Sequence, residues 1–472
     1  MSRDRPRVVI LGGGFAGLAA ANKLSRADAD VVLIDKKNHH LFQPLLYQVA
    51  TAGLNPADIA SPIRGLLSRQ KNARVMMGSV VSINRAHRRV ELETGNVEYD
   101  YLVVATGMVN NYFGHDDWEE HAPGLKTLEE ATGLRRKMLL AFEAAEFEED
   151  PDEVKALLTF VVVGGGPTGV EMAGALAEIG KEVLRSDFKN INPEKVRVIL
   201  IEGQDKLLGA MTEESSESAL EQITHPSRNV EVRLNTFVSE ISARGVEAGG
   251  EFILSRHVIW AAGLKASPLT ATLNTELDRA GRAIVTPRLH LPEDERVYVV
   301  GDLAHFDHDH NGLLPGLAPT AMQQGAHAAV NIKAQLKGRA LKPFKFFDKG
   351  TMATIGRKAA VAEAGPLQLS GFIAWLAWLF IHLMFLVGFR NRIAVLTNWV
   401  YSYVAMRRSA RLIVAPEQEM LGRRVLHEAP GSLDGARDFF SAHDEKSLRD
   451  MPEEDGLLRG EKEAQEKEKA AS

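Results

Sequence analysis

The chain carries one glycine signature twice. Near its start the apolar run Val8-Val9-Ile10-Leu11 leads into Gly12-Gly13-Gly14-Phe15-Ala16-Gly17, and after a helix-like stretch a second apolar run, Val31 to Ile34, ends on Asp35. Further on, Phe160 to Val163 leads into Gly164-Gly165-Gly166-Pro167-Thr168-Gly169, and the strand-like VRVILI ends on Glu202. GxGxxG between a strand and a helix is demanding: the first glycine makes the tight turn, the second lets a pyrophosphate approach the backbone, and the third packs helix on strand. The phosphates meet free N–H groups at the helix N-terminus, and the acid ending the next strand accepts from ribose hydroxyls. Asp35 lies 18 positions beyond Gly17, whereas Glu202 lies 33 beyond Gly169, so an insertion is expected around Lys181 to Lys195. Two fingerprints predict two dinucleotides.

Around them the chain alternates strands and helices. A loop containing Pro and Gln covers Leu41 to Thr51, and short strands are expected near Arg74 to Ile83 and Arg89 to Leu92. YLVVATG, Tyr101 to Gly107, is answered by HVIWAAG, His257 to Gly263, each an apolar strand closing on a small-residue turn. Arg296 to Asp302, RVYVVGD, returns to a strand with an acid at its tip, and a helix is predicted from Leu317 to Leu336, beginning near Ala318. Lys126 to Leu157 reads as a solvent-facing connecting helix. The fold class expected is α/β: two Rossmann-like dinucleotide-binding domains plus a C-terminal membrane-associated helical segment. The first domain takes residues 1–125 and 286–345, the second 126–285, the membrane segment 346–412, and a polar, disordered tail 413–472.

Composition removes several chemistries. Cysteine is absent, so this chain can form no disulfide, thiolate zinc site, iron–sulfur cluster or redox-active cysteine pair. The net charge of -6 offers no basic stripe of the kind a nucleic-acid binder needs. The N-terminus enters the first strand within a few residues without a signal-peptide core, so the folded part is expected on the cytoplasmic side of the cell membrane. His305, His308 and His310 with Asp307 and Asp309 resemble a metal cluster, but nothing else supports one, and they read as a polar loop.

The run Gly371 to Phe389 holds one ionisable residue, His382, and is followed by Arg390 and Arg392, then by Arg407, Arg408 and Arg411. At 1.5 Å per residue, 19 residues reach about 28 Å, just enough for a single span. The other reading is a pair of amphipathic helices lying in one leaflet, with arginines on anionic head groups.

These motifs, with HHLFQPLLYQVATAG, GPTGVEMAG, VYVVGDLA, APTAMQQG, DKGTMATIGRKAAV and WLFIHLMFLVGFRNRIAVLTNWVYSY, resemble type II NADH dehydrogenases, single-subunit NADH:quinone oxidoreductases within the two-dinucleotide-binding-domain flavoproteins. The resemblance favours the one-leaflet form and implies FAD in the first domain and NADH in the second. Gly12, Gly13, Gly14, Phe15, Ala16, Gly17, Asp35 and Lys36 would hold the FAD pyrophosphate and ribose, Val80 its adenine side, and Ala105, Thr106, Gly107, Asp302 and Ala318 its remaining parts. Gly164, Gly165, Gly166, Pro167, Thr168, Gly169, Glu202, Ala262 and Gly263 would hold NADH, with the acid at Glu202 disfavouring the 2′-phosphate of NADPH. The family often carries AQxAxQ beside the flavin; this chain has Ala318-Pro319-Thr320-Ala321-Met322-Gln323, which leaves Met322 and Gln323 toward the quinone.

Hydride transfer needs nicotinamide and flavin stacked at about 3 to 3.5 Å. Glu171, two residues after Gly169, is either an acid complementing a helix dipole or, as the resemblance implies, a proton relay or link between nucleotide and quinone. Lys349 is a surface lysine or, by the same likeness, a cation beside the reduced flavin. The expected partners are a membrane quinone, the bilayer surface and a second copy in a homodimer, with no nucleic acid and no proton pumping. The alternatives are a soluble-type reductase of a protein electron carrier and a nucleotide-sensing membrane flavoprotein without turnover.

Overall fold

The computed structural model describes residues 5–184, 187–307, 312–405 and 410–414. From residue 415 on, the predicted tail therefore lies outside the described residues, as do His308, Asp309, His310, Arg407 and Arg408. The longer helices are α1 (Phe15–Lys23), α2 (Leu128–Phe147), α3 (Pro167–Glu178), α4 (Glu213–Thr224), α5 (Ala318–Gln335), α6 (Gly371–Phe385) and α7 (Phe389–Ala405).

Two parallel sheets carry the fold. In the first, Arg7–Leu11 lies between Asp30–Asp35 and Tyr101–Val104, with Ala73–Met77 outside the former and Asp294–Val299 outside the latter. In the second, Thr159–Val163 lies between Arg197–Ile201 and His257–Trp260, with Glu231–Arg233 beyond. The first strand of each unit is thus flanked by its second and its closing strand. The strand order reverses there, and in open α/β sheets that point is where ligands bind. The central strands are buried along nearly their whole length because both faces are covered, which explains why Val8 to Leu11 and Phe160 to Val163 are continuously apolar. The chain crosses between the units twice, and the crossings pair antiparallel: Met108–Asn110 with Leu264–Ala266.

The structure amends two expectations here. The connecting segment is broken at Asp150-Pro151 into Leu128–Phe147 and Pro151–Leu157, and one face of α2, including Leu134, Met138 and Phe142, is core rather than solvent-facing. Its start is set by Thr127, whose side chain accepts from Glu130 N–H while the Glu130 carboxylate accepts from Thr127 N–H. The extra length before Glu202 is a π-helical turn, Ile179–Val183, and a loop whose amides at Lys189, Asn190 and Ile191 donate to the Glu146 carboxylate.

A third, antiparallel sheet, Thr351–Gly356, Ala359–Ala364 and Leu367–Ser370, stands on α3. The approach is set at Gly174, where an added Cβ would lie 1.9 Å from the Ile355 carbonyl oxygen. Helices α6 and α7 follow. The apolar run expected to be continuous is broken: α6 ends at Phe385, and Gly388 turns the chain with φ +93° into α7. Fifteen helical residues reach only about 22 Å, short of a hydrocarbon core. No helix among the described residues is long and apolar enough to cross a membrane, so the single-span reading is not supported.

Helix α7 turns its polar side inward. Asn391 donates to Ser61 Oγ (3.2 Å), Asn398 to Asp58 Oδ2 (3.0 Å), and Trp399 Nε1 to Gln48 Oε1 (2.8 Å). Phe389, Ile393, Leu396 and Val400, at helical spacing on the other side, are exposed, and α6 adds Phe372, Ile373, Leu376 and Phe380. His382 is turned inward too, stacked on Trp378 and held neutral by burial, which pushes its pKa down to about 4. Arg411, expected at head groups, is instead paired with Asp187, and Arg392 Nε donates to the Leu386 carbonyl at the end of α6 (2.8 Å).

Replacing Gly174 with alanine is expected to cost about 1–3 kcal/mol, the usual range for overpacking a filled contact, read as a lowered urea midpoint at constant slope. No shift in midpoint would mean that the helix–sheet contact is not the constraint described.

Candidate functional site

The two glycine loops are built alike, and the likeness extends to single hydrogen bonds. Gly12 (φ +98°) and Gly164 (φ +111°) turn the chain out of the first strand in a left-handed conformation, and their N–H groups donate to Ile34 O (2.8 Å) and Ile201 O (2.7 Å). A Cβ on Gly12 would lie 2.4 Å from Ala105 O, and one on Gly17 or Gly169 would lie 1.8 Å from the carbonyl oxygen of Gly12 or Gly164. These glycines are needed for packing.

The acids lock the loops. Asp35 accepts from Gly13 N–H through Oδ2 (2.5 Å) and from Lys37 N–H through Oδ1 (2.7 Å). Glu202 accepts from Gly165 N–H through Oε2 (2.5 Å) and from Gln204 N–H through Oε1 (2.8 Å). The middle glycines are different in kind. Gly14 and Gly166 have backbone angles open to any residue, and a Cβ on either meets nothing within 4 Å. Each is the N-cap of its helix, and neither helix has a side-chain cap. Open space therefore faces an uncapped, partially positive helix end in both units, with an anionic acid one strand away. That combination fits a pyrophosphate and a ribose twice over.

The other expected site residues fall around these loops. Ala105, Thr106 and Gly107 follow the closing strand of the first unit, and Ala262 and Gly263 that of the second, with Gly107 (φ +69°) and Gly263 (φ +77°) both left-handed. Thr106 Oγ1 is buried without a partner, a polar atom left for something outside the chain. Val80 begins the strand Val80–Asn84, in a small antiparallel sheet, and Lys36 is exposed. Gly301 N–H donates to Gln324 Oε1 (2.7 Å), tying the GD turn that carries Asp302 to α5. Ala318 opens α5, which also lacks a side-chain cap, and Thr320 Oγ1 is buried there without a partner. Phe15 and Ala16 begin α1, and a Cβ on Gly325 would lie 2.0 Å from Ala16 O, so α1 and α5 are in backbone contact.

Gln323 and Met322, expected at the quinone side, and Lys349, expected on the surface or beside the flavin, lie near the start of the third sheet. The Gln323 amide is engaged at both ends with one residue: Nε2 donates to Phe347 O (2.9 Å) and Oε1 accepts from Phe347 N–H (3.0 Å). In this structure it fastens the extended segment leading to the third sheet; Met322 beside it is half-buried. Lys349 is exposed, with Nζ 5.2 Å from the ring centre of Phe385 at the end of α6. His305 Nδ1 bonds Asp278 Oδ2 at 2.8 Å.

Glu171 stands at the back of a cleft of about 730 Å³, mouth included, walled by Tyr47, Thr354, Trp378, Trp399 and Tyr403. Burial pushes its pKa up to about 8; the Thr354 amide, in a long hydrogen bond of 3.4 Å, and the Trp378 indole offset this only in part. The Trp378 N–H is buried without a well-aligned partner, and Tyr47 is pushed well above its ordinary value by burial and by Glu171. The aromatic wall was not singled out from the sequence. Tyr47 and Trp378 lie far apart in the chain, and only the docking of α6 onto the body joins them.

Comparison with known proteins agrees with this architecture. The family model described as pyridine nucleotide-disulphide oxidoreductase matches residues 6–325, and that of the NDH2 C-terminal domain matches residues 349–408. The chain is 41% identical over 455 residues to the Mycobacterium tuberculosis type II NADH:quinone oxidoreductase Ndh, covering 92% of this chain and 96% of that one. It is 30% identical to the Staphylococcus aureus type II NADH:quinone oxidoreductase, covering 79% and 92% respectively. A solved structure of NDH2 from Plasmodium falciparum in complex with NADH superposes with a TM-score of 0.77 at 19% identity, covering 87% of this chain and all of that one, a likeness of fold.

The open space at Gly166 gives a test. Gly166→Leu is expected to fold and keep its flavin colour yet bind NADH at least about tenfold more weakly, because a Cβ there meets nothing of the protein within 4 Å and the side chain beyond it extends into the phosphate cradle. Titration of the oxidised protein with NAD would show it, and unchanged affinity would remove the cradle from this loop. With matches over both its nucleotide-binding body and its C-terminal segment, the chain belongs to the type II NADH:quinone oxidoreductase family.

Proposed function

We propose that the chain is a membrane-associated flavoenzyme that passes two electrons from NADH through FAD to a membrane quinone, without pumping protons. The observation that carries this reading is the doubled cradle: two uncapped helix ends, each facing open space and each with an anchored carboxylate beside it. FAD is assigned to the unit formed by residues 1–125 and 286–345, and NADH to 126–285. FAD, when bound, accepts hydride from NADH and returns two electrons to the quinone.

The chain's own residues bind, orient and hold protons. The Glu202 carboxylate is held in place by two backbone donors where the adenosine ribose is assigned, so a 2′-phosphate there would meet a like charge. Steady-state oxidation with a short-chain quinone is expected to be at least about a hundredfold less efficient, in kcat/KM, with NADPH than with NADH. Flavin reduction by NADH with no reoxidation by any quinone would overturn the acceptor and favour a protein electron carrier.

Glu171 is assigned as the group that holds a proton beside the quinone, in the cleft that opens among the aromatic residues of the C-terminal helices. With its pKa near 8 it is neutral at pH 7 and loses its proton above pH 8. In the unfolded chain it ionises near 4.5. Between these values the unfolded state binds fewer protons, so this group lowers stability as pH rises through the window. Glu171→Gln is expected to slow quinone turnover about a hundredfold and to gain in Tm relative to the parent between pH 5 and pH 8. Unchanged turnover with quinone would sink the assignment.

The exposed apolar faces of α6 and α7 are assigned to one leaflet of a bilayer, on its cytoplasmic side, with the homodimer as a second expected contact. The inward polar side of α7 and the inward His382 leave no charge on the outward face between Phe372 and Phe385. The double substitution Phe380→Asp, Phe389→Asp is expected to weaken binding to anionic vesicles by tenfold or more, from the apolar area lost, while NADH still reduces a water-soluble acceptor. Equal vesicle binding would place the membrane contact elsewhere.

A further inference from the structure

We infer that His40 is a positioning residue for FAD: its Nδ1–H fixes the carbonyl of Gly13, and its Nε2 accepts a hydrogen bond from a hydroxyl of the FAD polyol chain. The inference rests on the assignment of FAD to the first unit.

It starts from a difference between two loops that otherwise match bond for bond. The peptide groups of Gly13 and Gly165 are each held at both ends. Their N–H groups donate to Asp35 and Glu202. The Gly165 carbonyl accepts from a backbone amide, Leu208 N–H, at 2.8 Å. The Gly13 carbonyl has no such amide and is bonded instead by His40 Nδ1 at 2.9 Å. A side chain in the first unit thus stands where main chain serves in the second.

The tautomer follows from the partner. A carbonyl oxygen only accepts, so the proton of the ring sits on Nδ1. His40 is 2% exposed, and burial lowers its pKa against the opposing pull of Gly13 and Asp35, so the ring is neutral. A neutral ring protonated at Nδ1 carries a bare acceptor at Nε2, and that atom is buried with no partner in the protein. Buried acceptors left unpaired are rare, and each calls for an explanation. The ring packs edge-on against Phe15, 5.2 Å away, the first residue of the helix whose open end is the phosphate cradle. Phosphate oxygens offer no proton at neutral pH, and the ribose hydroxyls are assigned to Asp35. The hydroxyls of the polyol chain beyond the pyrophosphate are the remaining donors that reach the start of α1.

The test separates the two ring nitrogens. In His40→Asn the side-chain amide keeps a donor at the place of Nδ1 and loses the acceptor, whereas His40→Phe loses both. FAD is titrated into apoprotein and followed by quenching of flavin fluorescence. The Asn variant is expected to bind FAD about fivefold more weakly than the parent, the size of one neutral hydrogen bond, and the Phe variant more weakly still. In unsubstituted holoprotein labelled with ¹⁵N-histidine, Nδ1 is expected to stay protonated while the Nε2 resonance moves upfield on FAD binding. Asn-variant affinity within twofold of the parent, or a protonated Nε2 in the holoprotein, overturns the inference. Gly14→Leu, whose Cβ meets nothing of the protein within 4 Å and whose side chain extends into the cradle, distinguishes the premise: if it still binds FAD normally, the assignment of FAD to this unit fails, and His40 with it.

Discussion

The fixed charge at the tip of the second strand in each unit is the interaction on which the rest depends. Asp35 and Glu202 each bind one loop amide and one amide two residues downstream, so each carboxylate is both a structural lock and a preset acceptor. With the loop fixed, the first glycine can hold its left-handed turn, the third can bring helix and strand to backbone contact, and the helix N-terminus is left open. An open helix end attracts phosphate, and a nearby carboxylate rejects a second phosphate at the ribose. One arrangement, used twice, thus fits two dinucleotides in one chain.

The C-terminal segment is coupled to that body by polar contacts as well as by apolar ones, with Trp378, Leu386, Val395 and Trp399 joining its core. Asn391, Asn398 and Trp399 reach the stretch from Gln48 to Ser61, whose last residue pairs with His40 between the strands His39–Leu41 and Ala60–Pro62. Helix α7 is therefore inverted relative to a surface helix of a soluble domain, with its amides inward and its Phe, Ile, Leu and Val outward. The same docking closes the aromatic cleft over Glu171 and removes its carboxyl from water, which raises its pKa. The exposed apolar faces and the raised pKa of Glu171 thus share one structural cause.

Much of this was legible in the sequence, for a physical reason. Glycine spacing, buried-strand runs and a terminal acid are local signals, and the lock they describe spans 22 positions in the first unit and 37 in the second. What escaped the sequence is non-local or conformational. The engagement of Gln323 with Phe347 spans 24 residues and depends on how the third sheet leaves α5. The break at Leu386 to Gly388 is invisible to apolarity, because the run stays hydrophobic through it. The solvent-facing reading of α2 failed because Leu134, Met138 and Phe142 find their partners in strands and loops far along the chain. Tyr47, Trp378 and His40 lie within segments that carry the family resemblance, but their contacts with one another and with the glycine loop arise only from how the chain packs.

The most direct measurement is a crystal structure of the holoprotein soaked with NAD. The account predicts two dinucleotides per chain: FAD with its pyrophosphate at Gly14 and its ribose on Asp35, and NAD with its pyrophosphate at Gly166 and its ribose on Glu202. Density for a dinucleotide at only one of the two loops, or the two cofactors in exchanged positions, would contradict it.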